Sequence, residues 1–177
     1  MAYLLDANVF IAAKNLHYGL DFCPAFWDWL IRENKSGKVF SIEKVGDEIA
    51  AIEDELSHWA DAVRDGFFLP PAETTLRSFA AVTTWVQGQD YAPAAISTFF
   101  QTADYYLVAQ AHDGKHTVVT HEVPSKSINK VKIPNVCVGM KIKCMSPYEM
   151  LRRERARFVL GKQPTAVAGR RQFGIEL

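Results

Sequence analysis

Three short apolar runs punctuate this chain: "YLLDANVFI" at 3–11, "VFS" ending at Ser41, and "HTVVT" ending at Thr120. Long stretches with helical spacing lie between them. Short interior strands that alternate with helices pair in parallel, with helices covering both faces of the sheet. The expected fold is α/β: a three-layer α/β/α sandwich around a short parallel sheet. In such sheets the ligand crevice forms outside the carboxyl ends of the strands. Polar residues at those ends therefore carry the functional question. Asp6 poses it most sharply, because it interrupts an otherwise apolar run and is followed two residues later by Asn8.

The remaining elements follow from spacing. The run 3–11 reads as a strand covered on both faces. Pro24 precedes "AFWDWLIREN", a helix with Phe26, Trp27, Leu30 and Ile31 on one side. Over 43–65, Val45, Ile49, Ile52, Leu56, Trp59 and Val63 recur at spacings of 4, 3, 4, 3 and 4, which predicts one continuous helix ended by Gly66. A further helix is expected over about 72–86, with Leu76, Phe79 and Val86 inward. "NVCV" reads as a fourth strand. Ser146, Pro147 and Glu149 supply an N-cap, a first-turn proline and a capping-box acid for a helix that continues through "MLRRERARFVL". Residues 1–160 are expected to form one domain. The segment 161–177 has no periodicity and reads as a flexible or partner-bound tail.

Twenty basic and twenty acidic residues cancel. Net charge thus gives no signal for nucleic acid or membrane, and only a local basic face is left. Lys126, Lys130 and Lys132 in a loop over 125–134, and "RRERAR" further on, are the two candidates for such a face. No basic leader precedes the first strand, and no apolar run approaches the roughly 20 residues of a membrane span. Cys23, Cys137 and Cys144 lack CxxC spacing and read as reduced thiols. The expected location is cytoplasmic, without membrane contact.

Asp6 comes late in the first strand, Glu48 lies one turn into the helix after the second, and Asp104 opens the helix that leads into "HTVVT". Glu122 follows that strand's end. All four lie at one predicted edge of the sheet. Clustered carboxylates repel and need a cation or shared protons. A set made only of oxygen ligands suits Mg²⁺ or Mn²⁺. A cation held there could activate water against a phosphodiester.

This constellation resembles the PIN-domain nucleases, over about 1–160. "LLDANVFI" is similar to the family's opening strand, with Asp6 as first metal-binding carboxylate and Asn8 as its small polar neighbour. "SIEKVGDEI" is similar to the second motif, with Ser41 at the strand end and Glu48 as the acid. "ADYYLVAQA" is similar to the third, with Asp104. "VVTHE" is similar to the fourth, with Thr120 orienting the site and Glu122 where many members carry aspartate. "FWDWL", "DELSHW" and "IPNVCV" suggest a distinct branch, similar to the VapC-like toxin ribonucleases of bacterial type II toxin–antitoxin pairs. The resemblance implies an Mg²⁺- or Mn²⁺-dependent endoribonuclease that cuts RNA. It also implies a cognate antitoxin and a homodimer.

Two other readings compete. A haloacid-dehalogenase-like phosphatase also begins with a strand ending in Asp, but its general acid would stand where this chain has Asn8, and an amide cannot serve. A catalytically inactive PIN-like binding or assembly module would have no use for converging acids. His112, His116 and His121 do not read as a zinc site, since Gly114 breaks the helix between the first two.

Overall fold

A computed structural model describes residues 2–159 of the chain. Five parallel strands form the sheet, in the order β3-β2-β1-β4-β5. They are β1 (Tyr3–Leu5), β2 (Val39–Ile42), β3 (Phe68–Leu69), β4 (Thr117–Val119) and β5 (Cys144–Met145). The helices are α1 (Ala7–Ala12), α2 (Pro24–Lys35), α3 (Glu43–Ala50), α4 (Glu55–Ala62), α5 (Arg64–Phe67), α6 (Thr75–Gln87), α7 (Pro93–Gln101), α8 (Ala103–Gly114), α9 (Ile133–Gly139) and α10 (Pro147–Arg153). α8 packs on β2 and β4, and α2 packs on β2. The expected α/β/α sandwich with a short parallel sheet is thus present.

β1 is the central strand. Leu4, Leu5, Val39, Val118 and Val119 are each at most 1% exposed, as strands covered on both faces require. Burying such side chains stabilises the fold by about 1.5–3 kcal/mol apiece. Phe10, Trp59, Phe67 and Phe68 form an aromatic cluster, with Trp27 set edge-on to Trp59 at 4.9 Å between centroids. Trp27 and Trp29 are both buried, so these tryptophans pack the core.

Five local expectations are corrected. The run 3–11 is not one strand: β1 ends at Leu5, Asp6 is an N-cap with φ −75° and ψ 154°, and α1 begins at Ala7. Ala7, Val9 and Phe10 are buried in the helix just as they would be in a strand, so hydrophobicity alone did not separate the two. α1 then passes into a π-helical turn, Ala13–His17.

The long helix over 43–65 is broken into α3, α4 and the start of α5. Asp54 accepts from the Leu56 and Ser57 N–H groups at 2.8 and 3.0 Å, and the Ser57 hydroxyl returns a bond from the Asp54 N–H at 3.0 Å. This capping box restarts the helix at Glu55 and leaves Ile52 66% exposed. Gly66, at φ 81°, makes the later turn that only glycine adopts without strain.

"NVCV" lies in α9, with Pro134 in its first turn, and the strand pairing with β4 is the two-residue β5. α6 begins at Thr75 and turns Thr75, Ser78, Val82 and Val86 inward, leaving Leu76 73% exposed. The capping box at Ser146 and Glu149 stands as expected, but α10 stops at Arg153 instead of continuing through "RARFV": Glu154 is its C-cap and Arg155 turns the chain at φ 53°. The tail 161–177 lies outside the described residues. Among the described residues no helix is long and apolar enough to cross a membrane.

Candidate functional site

Asp6 caps the carboxyl end of the central strand, and its N–H continues the ladder to the Val119 carbonyl at 3.0 Å. The residue is 3% exposed. Thr120, at the end of β4, donates its hydroxyl to Asp6 Oδ2 at 2.7 Å. The same hydroxyl oxygen accepts from Asn8 Nδ2 at 3.1 Å and from the Glu122 N–H at 3.0 Å. With both acceptor positions filled, the Thr120 proton has one direction left, towards Asp6. Asn8 Oδ1 accepts the His121 N–H at 3.0 Å, which ties the first turn of α1 to the loop after β4. At the end of β2 the buried Ser41 donates to the Leu5 carbonyl at 2.6 Å, fixing the residue just before Asp6.

Asp104 stands in the first turn of α8. Burial pushes the Asp6 carboxyl up to about 7, with the Asp104 charge adding to the effect and the Thr120 bond opposing it. Burial likewise pushes Asp104 up to about 6, reinforced by the Glu122 and Glu48 charges and opposed by Lys130 and Lys132. The four acids named from the sequence are thus in electrostatic reach of one another through Asp104. Glu48 is the most open of them, and partial burial raises its carboxyl above the usual range. Glu43, its alternative, is exposed at the start of α3. Asp113 accepts from the Thr74 and Thr75 hydroxyls at 2.8 and 3.0 Å, at the far end of α8 from Asp104.

Glu122 behaves differently. Its Oε1 accepts Lys132 Nζ at 2.6 Å, with Lys130 Nζ at 3.6 Å, and its Oε2 accepts the Ile133 N–H at 3.0 Å. Among the described residues, no three acidic, histidine or cysteine side chains surround a point where an ion would sit. The donor set still suits a hard cation. Asp6 is buried and Asp104 half-buried, and the Asp104 charge opposes ionisation of Asp6, a condition that a divalent cation would relieve. Among the described residues, no hydrogen bond or ion pair holds Glu48 back from a water-mediated contact.

The lysine partnership of Glu122 was not visible in the sequence. Pro134 could have signalled it, since a first-turn proline marks a helix start whose free N–H groups need an acceptor. A second unpredicted feature is a ring cluster beside the site. His17, at the end of the π-helical turn, His121 and Tyr148 stand 5.6–5.7 Å apart, and Tyr148 Oη and His17 Nε2 share a 2.9 Å bond. His112 pairs with Ser78 at 2.8 Å and His116 with the Ala2 N–H at 3.2 Å, so the three histidines weighed for zinc lie in separate settings. "RRERAR" sits at the opposite edge, where Glu154 accepts from Tyr3 Oη and Lys38 Nζ at 2.7 and 3.0 Å.

Five parallel strands in this order, covered by helices, give the chain a PIN-like α/β fold. The chain belongs to the family described as "Domain of unknown function (DUF4411)", whose model matches residues 3–158. No curated protein matches it. Among solved structures it is similar to a chain of FitAB bound to an IR36 DNA fragment, at 18% identity and a TM-score of 0.50, covering 82% of this chain and 95% of that one. It is also similar to a chain of FitAcB from Neisseria gonorrhoeae, at 17% identity and a TM-score of 0.47, covering 82% and 98%.

Proposed function

We propose that this chain is an Mg²⁺- or Mn²⁺-dependent endoribonuclease and the toxin of a bacterial type II toxin–antitoxin pair. The observation that carries the reading is the Asp6–Asp104 pair. Two carboxyls raised to about 7 and about 6 are kept together at a sheet edge, and a hydrogen bond from the neighbouring strand aims one of them. A purely structural site would gain by replacing either acid with an amide.

Asp6 and Asp104 would hold the ion, with Glu48 contributing through water. A bound divalent cation supplies an activated water and charge stabilisation at phosphorus. Thr120 fixes the orientation of the Asp6 carboxylate, and Asn8 keeps the Thr120 hydroxyl from rotating away. In-line attack of water would leave a 5′-phosphate and a 3′-hydroxyl. The Asn8 amide is committed to Thr120 and His121, which leaves no group for the proton transfer that the phosphatase alternative requires.

A cognate antitoxin and a homodimer belong to the same proposal. Likeness in fold to a chain of FitAB, solved on DNA, is compatible with life in a complex. The test is cleavage of labelled RNA with Mg²⁺ or Mn²⁺, with EDTA, and with Asp6→Asn. Activity that survives both chelation and substitution would sink the mechanism.

One observation favours the non-catalytic module instead: Glu122, an expected ligand, is already neutralised by lysine. Thermal shift separates the two. An enzyme of this kind gains stability with Mn²⁺, and a binding module does not.

A further inference from the structure

Both carboxylate oxygens of Glu122 are spoken for within the chain. Lys132 and Lys130 share Oε1, the Ile133 N–H takes Oε2, and the Glu122 side chain is 11% exposed. Its own N–H is bonded to the Thr120 hydroxyl that holds Asp6. Turning Glu122 towards an ion would break the charge-assisted bond to Lys132 and strip the first N–H of α9 of its acceptor. A hard cation brought to this carboxylate would also meet two ammonium groups, at 2.6 and 3.6 Å from Oε1, and like charges repel.

What Glu122 does instead is hold cations beside the acids. The Lys130 and Lys132 ammonium groups act on Asp104 directly, opposing the rise in its pKa. A cavity of about 310 Å³ opens there, lined by Asp104 and Lys130 with Thr98, Thr102 and Asn129. Ionised Asp6 and Asp104 repel a polyanion, so a phosphodiester that approaches them needs positive charge close by. A lysine on a free loop would lose much side-chain entropy in providing it. A lysine already fixed by a buried carboxylate loses far less.

Resting on the nuclease reading, we propose that Glu122 is not a metal ligand but the anchor of a lysine clamp. Lys132, with Lys130 beside it, holds a non-bridging phosphate oxygen of the RNA next to Asp104. Glu122 and Lys132 are then positioning residues for substrate, and Asp6, Asp104 and Glu48 are left as the carboxylates that would hold a metal.

The experiment uses the full chain and two readouts. Mn²⁺ binding is measured by calorimetry on the wild type and on Glu122→Gln, which is expected to keep the affinity within about threefold. Binding of a fluorescent single-stranded 12-nucleotide RNA is measured against salt in an Asp6→Asn background, where no cleavage intervenes. There Lys132→Met is expected to weaken binding about three- to tenfold and to reduce the salt slope by about 0.7, the value for one phosphate contact on a single strand. Lys132→Arg, which keeps the charge, should retain both. Lys130→Met alters only an exposed side chain and should give a smaller loss in the same direction, even if Lys132→Met fails to fold. A tenfold or greater loss of Mn²⁺ affinity in Glu122→Gln overturns the clamp, as does RNA binding indifferent to both lysines. Either result leaves the nuclease reading standing, whereas a wild type that binds neither Mn²⁺ nor RNA sinks both.

Discussion

Thr120 reaches Asp6 across 114 residues of chain to give it a single 2.7 Å hydrogen bond. The bond joins the ends of two neighbouring parallel strands. Among the described residues it is the one side-chain donor to Asp6 that offsets the cost of burying its carboxylate.

Thr120→Val tests that bond at nearly constant volume. The substitution removes the donor to Asp6 and the acceptor for Asn8 Nδ2 and the Glu122 N–H. Stability should fall by about 1–3 kcal/mol in urea titration, because buried donors are left unmet. Affinity for Mn²⁺ should fall about 10–100-fold, the usual cost of losing an orienting partner. Unchanged Mn²⁺ affinity in a folded variant would remove Thr120 from the site.

The raised carboxyls make a statement about pH. Asp6 moves from 3.8 to about 7 and Asp104 from 3.8 to about 6 on folding. The folded chain therefore holds protons that the unfolded chain releases, and stability declines as pH rises from about 4 to 7. A tenfold difference in proton affinity between the folded and unfolded chain corresponds to about 1.4 kcal/mol, or roughly 3–5 °C in Tm for a chain of this length. Without metal, Tm should be several degrees lower at pH 8 than at pH 5. Mn²⁺ should raise Tm more at pH 8, where it does not compete with protons. A metal-free Tm that climbs between pH 5 and 8 would contradict the buried pair.

Asp6→Asn separates stability from activity. It removes the more strongly perturbed charge and keeps an oxygen for the Thr120 hydroxyl. The metal-free variant should melt several degrees higher than the parent at pH 8 and no higher at pH 4, while RNA cleavage drops by more than about a hundredfold. Scanning calorimetry at the two pH values reads the first effect directly. Equal shifts at both would mean that the gain has another source.

Asp54→Ala addresses the break between α3 and α4. Asp54 caps two N–H groups of α4 and pairs with Lys14 at 2.8 Å. Loss of the cap should cost about 1–2 kcal/mol. A double-mutant cycle with Lys14→Met should assign the ion pair no more than about 1 kcal/mol of it. Cleavage should be untouched, since Asp54 and Lys14 are bonded to each other and to α4 rather than to the acids.

The sequence was most readable where side-chain chemistry and backbone position coincide. Asp6, Asn8 and Thr120 could be placed because a polar residue that ends a buried strand has few places to go. The parallel sheet was readable for the same reason, through Leu4, Leu5, Val118 and Val119. "NVCV" was not, since a short β-branched run suits a strand and a buried helix equally and only Pro134 argued for the latter. β3 and β5, at two residues each, are too short to show any period. Ile52 kept the helical spacing while the chain broke beneath it, because Asp54 capped the next helix. Glu122 shows the hardest limit. Its type and position matched a ligand, but its lysine partner sits ten residues away in an irregular loop, where no periodicity announces contact.

The Ser41 hydroxyl on the Leu5 carbonyl, and the Asp6 N–H on that of Val119, mean that hydrogen bonds at the sheet's carboxyl edge are also the mounting of Asp6. Genetics should feel this. A selection for inactive variants will return Leu5, Ser41 and Val119 together with Asp6. Map-based inference from such a screen would draw a site twice its chemical size, unless each survivor is also scored for folding.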